Sequence, residues 1–477
     1  MQACILISIV NKSLIALLYS SLKGDKALYL LLSKGFLETG RLTEPVNAIE
    51  NGSTVYLYNP AINSPLYSLL AAPFLWITDS FFWTQAILSG LGWIVFYTAL
   101  YHVARLVLSQ RWVVNIFILC SAFFLYPHEL SSTPKDTFAA GLTLWTIVLM
   151  NTFLVTSPSW STIIFLVITL ISLALIKLLY VPLMVVLLFL FFVLLLLRKK
   201  KGHFIHACLL AGGLVIMGFA VSHFLLQPAQ TVVSTSPISI PSNSADINIG
   251  FYPESLLQVF PFISSSFINT HLWAVQTEKM TPFSFGSAMR GFLFFDAFLM
   301  IIFIAASLFF SRKILSHSVW FFLTGVSYTM ISVVLMLSLT GNVVIFKPGG
   351  GLWTYVTDAR SFLVPMVTIQ LVLFLFIFRN GTLSFFRKAL LLLFCFAAIH
   401  GLYFTIKAIT TAEVGKQVTH SDALTHFTSY LSKEKERGQN ISLVTTDNFV
   451  RRYTQVQDLP AYSFTNQQPH LSWMKKS

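Results

Sequence analysis

The chain has 477 residues, 56% of them hydrophobic and only 10% charged, with a mean hydropathy of +0.75. A soluble domain carries about 25% charged residues, so a water-facing surface of ordinary composition is excluded. The formal net charge of +13 fits lysine and arginine gathered in cytoplasmic loops beside membrane spans, which sets nucleic acid aside as a partner.

Apolar runs near the ~20 residues needed to cross a hydrocarbon core begin at 3–22. This run holds Asn11 and Lys12 and lacks a small-residue cleavage site, so it reads as a retained first helix. The loop 23–81 follows. In it Ala27, Leu28, Leu31, Leu32, Phe36 and Leu37 recur at helical spacing among Lys26, Lys34 and Glu38, which predicts an amphipathic helix on the membrane surface. The piece from Pro65 to Ile77 is apolar but too short to span. Spans are then expected at 82–104, 112–127 and 137–156. The block 161–197 is too long for one crossing and splits at Lys177–Pro182 into 161–177 and 180–197. Further spans fall at 204–226, 291–310, 319–340, 361–378 and 389–407. The expected fold class is therefore an all-α polytopic membrane protein with about eleven transmembrane helices. It divides into 1–200, then 201–407 with an outer loop at 227–290, then a tail at 408–477 containing a β-like Ile441–Thr445.

Alternate connections hold Arg105 and Arg111, then Arg198 to Lys201, then Arg312 and Lys313, then Arg379, Arg387 and Lys388. Those connections should be cytoplasmic, which places the N-terminus inside and the C-terminus outside. The loops 23–81, 227–290 and 341–360 and the tail then share the outer face. Cys4, Cys120, Cys208 and Cys395 all lie in apolar runs without metal-site spacing, so they read as packing residues. There is no phosphate-binding loop, Gly-x-Ser-x-Gly elbow or zinc-protease sequence.

Chemistry is expected at the outer ends of the helices. Asp25, in Gly24-Asp25-Lys26-Ala27-Leu28-Tyr29, is either a helix cap or a general base tuned by the low-dielectric wall beside it. Asp136, next to Lys135 in Ser131-Ser132-Thr133-Pro134-Lys135-Asp136, stands where it could serve as the N-cap of a helix. Lys177 stands at a predicted outer helix end, from which it can snorkel to the interface. Arg360 can serve as a surface anchor or form a salt bridge with Asp358. Asp296, six residues past Arg290 in an apolar run, is a candidate simply because intramembrane carboxylates are costly. Gly349-Gly350-Gly351 reads as a flexible loop.

The ordered set of these elements resembles the GT-C glycosyltransferases, which are polytopic enzymes using polyprenyl-phosphate sugars, such as the protein mannosyltransferase and aminoarabinose transferase relatives. Asp25 soon after the first helix, Tyr29 four residues on, and an apolar helix closing on Gly40 are similar to that family's first outer loop. Tyr58-Asn59-Pro60-Ala61-Ile62-Asn63-Ser64-Pro65 resembles the segment leading into its second helix, and Asp136 stands where members often place a second acid. Tyr355-Val356-Thr357-Asp358-Ala359-Arg360-Ser361-Phe362-Leu363-Val364-Pro365 is similar to its late Arg-aromatic-x-x-Pro element. Many members carry an acidic pair where this chain has Asp25-Lys26, and Ser361 stands where Tyr is usual.

The resemblance implies an inverting glycosyltransferase in a bacterial cytoplasmic membrane, working on the outer face. Its partners would be a polyprenyl-phosphate-linked sugar donor, a lipid-linked or other envelope acceptor, and the membrane lipids. It further implies Asp25 as base, Asp136 as supporting acid, and Arg360, Lys177, Lys135, Tyr29 and Asp358 around the donor. No metal ligands are assigned; a divalent cation, Mg2+ or Mn2+, is an optional cofactor. The competing readings are a polysaccharide polymerase of the O-antigen type, which usually has Arg-rich outer loops, and a lipid-linked substrate transporter or flippase, which needs polar residues in several mid-membrane helices.

Overall fold

The computed structural model describes residues 2–18, 25–50, 53–60, 65–108, 110–124, 134–156, 159–176, 181–197, 318–339, 344–347, 351–354, 363–378, 423–437, 443–445 and 461–464, with isolated positions at 213, between 385 and 406, and at 455–456. The helices and strands run, in chain order, α1 (Gln2–Leu18), α2 (Asp25–Thr39), β1 (Thr43–Glu50), β2 (Ser53–Pro60), α3 (Pro65–Thr78), α4 (Phe81–Val107), α5 (Arg111–Phe124) and α6 (Pro134–Val155). They continue with α7 (Trp160–Ile176), α8 (Val181–Leu197), α9 (Ser318–Leu339), β3 (Val344–Lys347), β4 (Gly351–Thr354), α10 (Leu363–Ile377), α11 (Ala423–Glu436), β5 (Leu443–Thr445) and β6 (Ala461–Phe464).

The chain divides into two compact units. The first gathers residues 1–20, 88–218 and 249–416, and the second residues 21–87, 219–248 and 417–477. In the first unit the described apolar runs are helices, as expected. The block 161–197 holds two of them, α7 ending at Ile176 and α8 starting at Val181, with Pro182 in a first turn, where its missing N–H would have no partner. Among the described residues α4 and α6 are long and apolar enough to cross a membrane, and α1, α3, α5, α7, α8 and α10 hold shorter apolar stretches. The spans expected at 204–226 and 291–310 lie outside the described residues, and that at 389–407 is described only at isolated helical positions.

Two faces of α7 separate cleanly. Ile163, Leu166, Leu170 and Leu173 are buried, while Ile164, Phe165 and Ile168 are exposed. On α8, Val185, Phe189 and Leu196 are exposed in the same way. Apolar faces this continuous suit lipid, because water would penalise them. Inside the unit, backbones approach closely. A Cβ on Gly141 of α6 would lie 2.9 Å from the backbone nitrogen of Phe96 on α4, so only glycine lets these helices touch there. The Ser318 hydroxyl on α9 donates to the Asn151 side-chain oxygen on α6. Arg387 donates to the Ile377 carbonyl at 2.8 and 3.1 Å, closing the C-terminal end of α10 with a cation.

The second unit corrects the all-α expectation. It holds a four-stranded sheet in the order β2-β1-β6-β5. β1 and β2 form an antiparallel hairpin whose last pair is Glu50↔Ser53, leaving Asn51-Gly52 between the strands. β6 runs parallel both to β1 (Ala48↔Ser463) and to β5 (Val444↔Tyr462), so the tail shares a sheet with the first loop. The β-like character read at Ile441–Thr445 is β5. A separate hairpin, β3–β4, lies in the first unit, pairs Lys347 with Gly351, and takes in the last glycine of the triplet.

α2 also departs from expectation. Ala27 to Ser33 are buried without interruption, so two full turns are enclosed rather than lying with one face open. Only the C-terminal half, with Lys34, Leu37 and Glu38, is accessible. The enclosure comes from α3 and β1, which both pack on α2. Gly35 explains how β1 comes so near, since a Cβ there would sit 1.8 Å from the Thr43 carbonyl oxygen.

Candidate functional site

In the first unit the polar groups that matter converge on one stretch of α4. Asp136 is 0% exposed and Lys135 4%, both in the opening turn of α6. α6 begins at Pro134, so Asp136 is its third residue and lies inside the helix rather than capping it. A carboxylate here faces the positive end of the helix dipole, but full enclosure demands more than a dipole, because buried charge is sustained only by specific partners. Gly92 of α4 marks the contact with this turn. A Cβ there would lie 3.4 Å from the Pro134 carbonyl oxygen and 3.5 Å from the Thr137 Cβ.

The neighbour of Gly92, Trp93, meets a second buried charge. Lys12 of α1 is 0% exposed, and its Nζ stands 5.6 Å from the centre of the Trp93 ring. That is cation–π range. The ring is fixed by edge-to-face contact with Phe96 at 5.6 Å and tilted contact with Tyr97 at 5.8 Å. Thus the turn that carries Lys135 and Asp136 abuts Gly92, and Lys12 meets the adjoining Trp93. The sequence marked Lys12 only as an unusual residue in an apolar run; finding its partner needs the rotation of α1 against α4, which no local pattern supplies.

The second unit has its own polar core. Tyr29 and Tyr67 are fully buried and meet edge to face at 5.6 Å, and the Tyr67 hydroxyl donates to the Gln85 side-chain oxygen at 2.9 Å. Ser33 donates to the carbonyls of Tyr29 and Ser68, each at 2.8 Å, which ties α2 to α3. Lys26, Thr43 and Glu44 are buried as well. Asp25 is the first residue of α2, and its side chain lies outside the described residues. Lys177, Asp296, Asp358, Arg360 and the loop 227–290 lie outside them too.

Among the described residues no three His, Cys, Asp or Glu side chains come together. Asp136, with Lys135 beside it, is by itself not a donor set for a divalent ion. The described residues therefore do not fit a metal.

No family model matches the chain, and no curated protein matches it. Solved structures similar to it include two membrane proteins. One is ArnT from Cupriavidus metallidurans bound to undecaprenyl phosphate, with 13% identity, 98% of this chain and 86% of that one covered, and a TM-score of 0.45. The other is the archaeal oligosaccharyltransferase AglB from Archaeoglobus fulgidus in complex with an inhibitory peptide and a dolichol-phosphate, with 14% identity and a TM-score of 0.46. There 95% of this chain is matched to 63% of the other, so the chain spans less than two thirds of that protein's length. Both are GT-C membrane glycosyltransferases, the group that the sequence motifs resemble. Both scores lie below 0.5, so the assignment of individual residues stands on this chain's own geometry.

Proposed function

We propose that this chain is a membrane glycosyltransferase of the GT-C type, inverting, which moves a sugar from a polyprenyl-phosphate donor to an envelope glycan, lipid or protein on the outer face of a bacterial cytoplasmic membrane. The observation that carries the reading is the enclosure of the adjacent Lys135 and Asp136 in the first turn of α6, within a bundle of apolar helices. Intramembrane charge is expensive and is kept where it acts on substrate or on the groups that do. The ordered motifs around Asp25, Tyr29, Asp136 and Arg360 give the chemistry.

In this reaction an acceptor hydroxyl loses its proton as its oxygen attacks the anomeric carbon, and the lipid phosphate leaves from the opposite side. Asp25 takes the proton. Arg360 grips the departing phosphate in a bidentate manner, and Lys177 and Lys135 add point charges where negative charge grows. Asp136 is the supporting acid, and Tyr29 and Asp358 complete the donor site.

The experiment is transfer of radiolabelled sugar by purified protein from a panel of polyprenyl-phosphate sugars, with Asp25→Asn alongside. Wild type should transfer label, and the amide variant should lose about 10²–10⁴-fold, the usual worth of a general base. Full activity in Asp25→Asn removes the base assignment; no transfer from any donor by folded wild type removes the glycosyltransferase reading.

A further inference from the structure

α1 is polar toward the interior and apolar outward. Ser8 and Lys12, one turn apart, are fully buried, whereas Leu6, Ile7 and Val10 are the exposed residues of the same stretch. Each buried group engages a different neighbour. The Ser8 hydroxyl donates to the Ile118 carbonyl on α5 at 3.3 Å, and Lys12 sits over Trp93 on α4. Beside Lys12, α1 and α4 are in contact, since a Cβ on Gly90 would lie 3.5 Å from the Ser13 Oγ and 4.0 Å from the Ser13 Cβ. An anchor helix has no need of a buried ammonium, which costs several kcal/mol of desolvation in a bundle.

We infer that Lys12 is a positioning residue for the proposed transfer: its ammonium, seated on Trp93, sets the register of α1 on α4 and so fixes the α4 step that abuts the first turn of α6, where Lys135 and Asp136 sit. The inference rests on the glycosyltransferase reading for its catalytic half alone. The Lys12 ammonium is seated on Trp93, so it acts through Trp93 and the adjoining Gly92. Trp93 is suited to the task because Phe96 and Tyr97 already hold its ring, so a cation on that ring is located to within the width of one side chain.

The test uses two cysteine pairs in a background without the native cysteines. Ser13→Cys with Gly90→Cys reports α1 on α4, and Gly92→Cys with Thr137→Cys reports α4 on α6. The Cβ separations of 4.0 and 3.5 Å both suit a disulfide. With Lys12 intact both pairs should cross-link readily in the membrane. Lys12→Met should lower both yields several-fold, and Lys12→Arg should restore them. In transfer assays Lys12→Met should lower kcat at least tenfold with the donor KM within twofold, and Trp93→Phe should keep more activity than Trp93→Leu. Unchanged cross-linking in Lys12→Met overturns the inference. So does normal kcat despite lost cross-linking, or a loss confined to KM. If wild type transfers no sugar, the function proposed above fails, and the two cross-links still decide whether Lys12 sets this register.

Discussion

Asp136 shows how a single side chain divides structural from chemical roles. As the third residue of α6 it gains from the helix dipole, a contribution of about 0.3–1 kcal/mol at exposed sites and up to ~2 when partly buried. Asp136→Asn keeps the volume and removes the charge, so it separates the two roles. Transfer should fall by about 10²-fold or more in kcat/KM, with the thermal midpoint moving by only a few degrees. Assay and melting curve are read on one preparation. Retention of transfer to within threefold would show that Asp136 serves only the turn in which it sits. Lys135→Met removes the buried ammonium adjacent in sequence and should cost stability as well as rate.

Among the elements, α2 is the one whose placement depends most on small residues. Gly40, at φ 70°, takes the left-handed conformation that ends the helix, and its N–H donates to the Phe36 carbonyl at 2.8 Å. Gly35 lets the start of β1 lie against the helix. Gly35→Ala would put a methyl 1.8 Å from the Thr43 carbonyl oxygen, and backbone, unlike a side chain, cannot rotate aside. The expected cost is about 1–3 kcal/mol, the range for overpacking, read as a lower melting temperature and faster proteolysis of the hairpin after β1. A variant as stable as wild type would mean that β1 does not pack here. The helices were legible because an apolar stretch of fixed length has one solution in lipid. The hairpin has its own local signal in Asn51-Gly52, a pair that favours a two-residue turn, between Val46-Asn47-Ala48-Ile49 and Thr54-Val55-Tyr56-Leu57. The pairing of β1 with β6 was not legible at all. Short parallel strands from opposite ends of the chain carry no local signal for their partner. The site divides in the same way: Asp136 announces itself by the motif around it, whereas Lys12 gains meaning only from a tryptophan on another helix.

At the scale of the whole molecule, the mixed sheet constrains how the chain threads the membrane. β1 follows the first helix and β6 closes the tail, and their hydrogen bonds require both to be on one side. The chain between them must therefore cross an even number of times. The spans expected from 82–104 to 389–407 meet that condition only if the block 161–197 counts as two crossings, which is how α7 and α8 divide it. A loop and a tail assigned to the outer face by positive charge alone are thus tied together by backbone geometry, while which face it is remains a matter of the charges. Single cysteines placed at exposed positions test this directly. Arg41→Cys in the first loop and Arg437→Cys after α11 should react with a membrane-impermeant maleimide from the same side of sealed vesicles. Arg105→Cys, near the C-terminal end of α4, should react only after the opposite side is opened. Labelling of positions 41 and 437 from opposite sides would break the β1–β6 pairing. All three labelled from one side would mean that α4 does not cross, and the even count would have to be made without it.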